Sequence, residues 1–108
     1  MNYQEIFDTC NQEGRDHVEL AYGDNDPFYC GFAWITIYPG NCRLANQAKK
    51  LLDNAYPASG GGVSIWVRDG GKQSMDRRET YAKAYTKKLR ELADPSEYKS
   101  IQWGSRAD

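Results

Sequence analysis

The chain has 108 residues, 40% of them hydrophobic and 27% charged, with a formal net charge of −1. That length suits one domain around one core, and the composition excludes a disordered or low-complexity chain. No apolar run approaches the ~20 residues of a membrane helix, Met1–Asp8 lacks the basic and apolar regions of a secretory signal, and three cysteines without CxxC spacing argue against a disulfide framework or zinc knuckle.

The first segment places Tyr3, Ile6, Phe7, Cys10, Gly14, Val18 and Ala21 at three- and four-residue steps. This predicts one helix with Asn2 as N-cap and Gly23 as stop, weakened near Gly14 by ~1 kcal/mol relative to alanine. After the loop Gly23–Pro27, residues 28–38 alternate as a strand. Ala33, Ile35 and Ile37 line one face, and Cys30, Phe32, Trp34, Thr36 and Tyr38 the other. Pro39-Gly40-Asn41 ends it, and Leu44, Ala45, Ala48, Leu51, Leu52 and Ala55 keep helical spacing. Residues 56–62, with three consecutive glycines, read as a flexible connection.

Val63, Ile65 and Val67 mark the inner face of a second strand, with Ser64 and Trp66 opposite. A third helix is predicted from about Ser74 to Ala93 and stopped by Asp94-Pro95. Residues 98–103 form the last strand, leaving 104–108 as a polar tail. The expected architecture is α/β, with α+β as the alternative. It is one small domain in the order α-β-α-β-α-β, with helices packed on a three-stranded sheet. Within it, 1–29 is an acidic helical segment and loop, and 30–108 a β-α-β-α-β body. The face bearing Phe32, Trp34 and Trp66 needs a cover, and the first helix is the expected lid.

Charge is unevenly placed. Residues 1–29 hold seven acids and one base, a formal −6; the remainder holds thirteen bases and eight acids, a formal +5. Either the acidic helix packs near the basic third helix, or Glu5, Asp8, Glu13, Asp16 and Glu19 form a surface for a basic partner, with Trp34 and Trp66 as anchors.

The strand-turn-helix passage Val63–Arg78 carries the most chemistry. A glycine turn into a helix start beside Lys72, Gln73, Ser74 and Arg77 aims N–H groups and cations at one spot, a common way to hold an anion. A returning tail would add Arg106. The spacing fails the GxxxxGK[ST] pattern of a phosphate-binding loop, because Gln73 separates Lys72 from Ser74. The bland alternative is a Ser74 N-cap after a turn. Aromatics at Trp34 and Trp66 with a basic helix also fit a single-strand nucleic-acid platform, although the net charge is slightly negative. Catalysis has little support, since His17 is the only histidine and no partner for Cys30 or Cys42 is evident. No metal site or cofactor is expected.

The runs Cys30-Gly31-Phe32-Ala33-Trp34, Gly61-Gly62-Val63-Ser64-Ile65-Trp66-Val67 and Gln73-Ser74-Met75-Asp76-Arg77-Arg78, with the ending Gly104-Ser105-Arg106-Ala107-Asp108, resemble small proteins of tailed bacteriophages that carry no assigned activity. The resemblance spans roughly residues 30–108. It implies a viral accessory protein of the host cytoplasm. With the acidic segment as its surface, the leading expectation is a non-catalytic module that binds and inhibits or redirects a host protein, such as a defence or nucleic-acid-handling factor. An anionic small molecule and single-stranded nucleic acid are the alternative ligands, and no membrane is involved.

Overall fold

A computed structural model describes all 108 residues. In chain order the elements are helix α1 (Tyr3–Tyr22), strand β1 (Gly31–Tyr38), helix α2 (Arg43–Leu51), strands β2 (Ala55–Pro57) and β3 (Val63–Trp66), helix α3 (Met75–Leu92), a 3-10 turn (Pro95–Glu97) and strand β4 (Ser100–Ala107). The result is a small α+β domain: three helices and one four-stranded antiparallel sheet in the order β2-β3-β1-β4.

Two departures from the expected architecture share one cause. The second helix stops at Leu51, short of the expected Leu52 and Ala55. Ala55 joins the start of the expected loose connection in the short edge strand β2, paired with β3 through Ala55↔Ile65 and Pro57↔Val63. Three residues with a proline leave no alternation to detect, and proline is tolerated because its outer side has no ladder to join. The β2–β3 hairpin reverses the chain at Gly60 and Gly61, whose φ values of 116° and 96° suit glycine. The two helical crossovers, β1-α2-β2 and β3-α3-β4, therefore interleave, and every neighbouring pair is antiparallel. This is the split βαβ arrangement, not the three-stranded α/β sheet expected.

The last strand also runs further than expected. Residues 104–107 are not a frayed tail: Gly104, Ser105, Arg106 and Ala107 pair with Trp34, Ala33, Phe32 and Gly31. The cross-strand partners were hidden from a local pattern because Gly104-Ser105 breaks the hydrophobic alternation. At the other end, β1 begins at Gly31, so Phe28 and Tyr29 are exposed loop residues.

Helix α1 forms as its sequence dictates. The Glu5 amide donates to Asn2 Oδ1 at 2.8 Å, and Glu5 Oε1 accepts from the Asn2 amide, closing a capping box. Gly14 does not break it. The glycine is there because the Tyr81 ring of α3 lies against it, and a Cβ would stand 2.5 Å from Tyr81 Cδ2. Gly14→Ala is therefore expected to destabilise the fold by about 1–2 kcal/mol, overpacking outweighing the gain in helix propensity. Chemical denaturation measures it, and a more stable variant would refute the close packing.

All three helices stand on one side of the sheet. The core gathers Ile6, Phe7 and Cys10 of α1, Leu44 and Ala48 of α2, Tyr85 and Leu89 of α3, and Ile35, Ile37, Ile65 and Ile101 of the sheet. Helix α1 packs mainly on α3 and does not cover the aromatic face. Its apolar stripe is used up against α3, and no ion pair joins the two helices. On the outer edge of the sheet, Arg90 of α3 donates to the Ile101 carbonyl, and Glu79 accepts from the Ser105 hydroxyl at 2.5 Å. No helix is long and apolar enough to cross a membrane.

Candidate functional site

With the helices on one side, the other side of the sheet is left without a covering element. The registers place Phe32, Trp34, Thr36 and Tyr38 of β1 there, beside Arg106, Gly104, Gln102 and Ser100 of β4; Trp66 and Ser64 of β3 and Tyr56 of β2 complete the face. None of these residues is acidic. Trp34 and Trp66 are cross-strand partners with ring centroids 5.1 Å apart, and the Phe32 ring meets Trp66 edge-on at 6.3 Å. All three rings are half-buried. Pairs of this kind are held by ring–ring contact beyond their area burial.

The rings and the residues around them fit closely. Glycine at position 104 lets the Trp34 indole lie flat across β4: a Cβ there would be 2.9 Å from Trp34 Nε1. Below the rings, Thr36 and Ser64 satisfy each other through a 2.8 Å hydroxyl bond, so the floor carries no unpaired polar group. Two guanidinium groups stand near the Phe32 ring, Arg106 at 5.9 Å and Arg78 at 5.8 Å from its centroid, within cation–π range.

The residues expected to hold an anion are dispersed. The amide of Ser74 donates to Asp26 Oδ1 at 3.0 Å, and the amide of Met75 to the Tyr29 carbonyl at 2.8 Å. A carboxylate of the chain itself thus occupies the start of α3, while the Ser74 hydroxyl caps the Arg77 amide. Arg77 is buried and fully engaged: Nε donates to Asp69 Oδ2 at 2.6 Å, and Nη1 to the carbonyls of Gly23 and Asn25 at 2.7 and 2.8 Å. It supplies the positive charge that the last turn of α1 lacks. The Asp69 hydrogen bond raises its already high pKa.

Lys72 lines a polar cleft of about 400 Å³ with Arg15, Glu19, Asp24, Arg68 and Asp69, a mixture of both signs. Gln73 is exposed and turns to a different hollow. Arg106 is on the open face and borders neither. The pocket expected from a returning tail therefore does not assemble, because the tail returns as a strand and its alternation sends Arg106 to the far side of the sheet.

The acidic residues Glu5, Asp8, Asp16 and Glu19 are exposed along α1, on the helical side. None forms an ion pair; Asp8 and Asp16 accept from Gln4 and Gln12 one turn earlier. Glu13 is half-buried and lies near His17. No group of three His, Cys, Asp or Glu side chains is placed to hold a metal. Cys10 is buried and its thiol is pushed up to about 12 by loss of solvent, which leaves no thiolate near neutral pH.

Sequence reasoning missed Phe32 and Asp108 as site residues, and read Arg78 as a cation of the α3 start with Lys72 and Arg77 where the structure places it beside the Phe32 ring. Phe32 was legible, being two residues before Trp34 on the same strand face. Arg78 reaches the sheet end only through α3 packing, and Asp108 only because β4 is long. Comparisons with protein-family models, curated proteins and solved structures give no match to this chain.

Proposed function

We propose that this chain is a binding module whose ligand is single-stranded nucleic acid, taken on the open face of the sheet. The observation that carries the reading is the uncovered aromatic group Phe32, Trp34 and Trp66 on the two central strands, with Arg106 and Arg78 beside it and the Asp108 carboxylate only at its end. Every base has a π face, and stacking on an aromatic side chain contributes ~1–3 kcal/mol per base without regard to sequence. Sheets of four strands with exposed central aromatics stack bases in this way in RNA-recognition modules; the parallel is one of architecture.

The slightly negative total charge does not oppose the reading, because the charge is sorted in space. The formal −6 of residues 1–29 belongs to α1 and its loop, on the helical side, whereas the charged side chains nearest the rings are Arg106 and Arg78. A strand approaching the face meets arginines, and its bases meet rings. The test is tryptophan fluorescence titrated with short oligothymidylate. Saturable quenching that weakens with salt supports the reading; unchanged fluorescence at low salt rejects it.

A second reading rests on the acid row of α1. In it, an accessory protein of the tailed-phage type, acting in the host cytoplasm, presses Glu5, Asp8, Asp16 and Glu19 onto a basic host protein and inhibits or redirects it. The row is free of ion pairs, and complementary charge speeds and orients such encounters. Lysine substitutions at Asp8 and Asp16 are expected to abolish capture of a specific host protein while leaving oligonucleotide quenching intact. Capture unaffected by the reversal would refute this reading.

A further inference from the structure

The row of rings ends in a small hollow of about 260 Å³ at the start of β1, lined by Cys30, Gly31, Phe32, Gln73, Arg78 and Asp108. Four elements converge on it. The Asp108 amide donates to the Cys30 carbonyl at 3.1 Å, and the Gly31 amide to the Gln73 carbonyl at 3.1 Å, so the end of β4 and the turn before α3 are fastened to β1. Arg78 reaches across from α3. Its Nη1 donates to the Gly31 carbonyl at 2.8 Å and its Nη2 to the Lys72 carbonyl at 3.1 Å. Each of those nitrogens carries a second N–H that these bonds leave free. Nε is shut in without a partner, so the guanidinium is fixed by its outer nitrogens alone.

The polar groups in the hollow are of two kinds. Arg78 and the Gln73 amide offer N–H donors; the Asp108 carboxylate offers only acceptors. A phosphate, all acceptor and negative, would pair with the first kind and be repelled by the second. A nucleobase edge that presents an acceptor next to N–H donors satisfies both. Among the bases, guanine shows two adjacent N–H donors on its Watson–Crick edge, matching the two oxygens of a carboxylate, with O6 beside them for a cationic donor. Phe32 forms a wall of the hollow and belongs to the stacking row, so a base entering it lies next to bases already stacked on Trp34 and Trp66.

We infer that this hollow is a guanine-selective subsite at one end of the aromatic face. The inference rests on the single-strand reading above and adds base identity to it. Gln73 and Asp108 are specificity residues, and Trp34 and Trp66 are not.

The experiment is fluorescence titration of the full chain with short oligothymidylate and with the same strand carrying a single guanine, adenine or cytosine, each as deoxy and ribo forms. The backbone that binds tighter identifies the strand, and in it the guanine probe is expected to bind about tenfold tighter than the others. Asp108→Asn, and separately Gln73→Ala, should abolish that preference while oligothymidylate still binds, no more weakly in Asp108→Asn than in the parent, which also shows that the variants are folded. Equal binding of all four probes, or a guanine preference that survives Asp108→Asn, overturns the subsite but leaves the stacking face standing. Absence of binding by every probe removes both.

Discussion

Alanine in place of Trp66 is expected to weaken oligothymidylate binding by one to two orders of magnitude, and the double substitution Trp34→Ala/Trp66→Ala to remove it. The magnitude follows from a stacking contribution of ~1–3 kcal/mol per base, with about 1.4 kcal/mol per factor of ten. Both rings are half-buried on a face that no other element covers, so the loss falls chiefly on binding. Circular dichroism keeps the two effects apart: a folded spectrum with lost quenching is the expected pair. Gly104→Ala offers an independent check, because its new Cβ would displace the Trp34 indole from its seat at 2.9 Å without deleting a ring. Full affinity in the Trp66 variant would move the ligand to another surface.

Arg77→Ala is expected to produce the largest loss of stability, about 3–5 kcal/mol. The side chain is nearly closed off from water, and its removal leaves Asp69 and two carbonyls at the end of α1 without their donor. For a domain of this size such a loss lowers the Tm by well over ~10 °C, and thermal unfolding followed by circular dichroism measures it. Arg77→Lys should recover little, since one ammonium cannot span the acceptors that the planar fork reaches. If Arg77 instead served an anionic ligand, the alanine variant would melt near the parent temperature, and the structural assignment given above would be wrong.

The difference between those two roles shows where the sequence was informative. Helices α1 and α3 were legible because each carries its own start and stop: Asn2, Ser74, Gly23 and Asp94-Pro95 act within a few residues. Helix α2 was less so, since it is capped by Cys42 and ends at Leu51 although helical spacing runs on to Ala55. The faces of β1 and β3 were legible because apolar residues alternate. What stayed hidden depends on partners distant in sequence. Three residues of β2 make a strand only beside β3, and residues 104–107 only beside β1. That one missing hairpin changed the sheet from three strands to four and its neighbours to antiparallel. Likewise, Lys72, Gln73, Ser74, Arg77 and Arg106 form a cationic set on paper, but Asp26 and Asp69 reach the first helical turn of α3 from loops. Local charge counting cannot see Asp26 arriving from the loop after α1, nor that Asp69 within the same passage turns back onto Arg77. The aromatic face needed only strand alternation to be found; that it is open required knowing where α1 goes.

The placement of every helix on one side of the sheet has a consequence for how this chain can change over time. Folding is secured by Ile35, Ile37, Ile65, Ile101 and the helix residues packed against them, while the neighbouring positions on the same strands point to the other side. Alternate residues of β1 therefore answer to different selective demands. Most drift at even-numbered positions alters the open face at small cost to the fold, and drift at odd-numbered positions does the reverse. One strand thus carries two nearly independent inheritances, and the open face can be rewritten while the architecture stays in place.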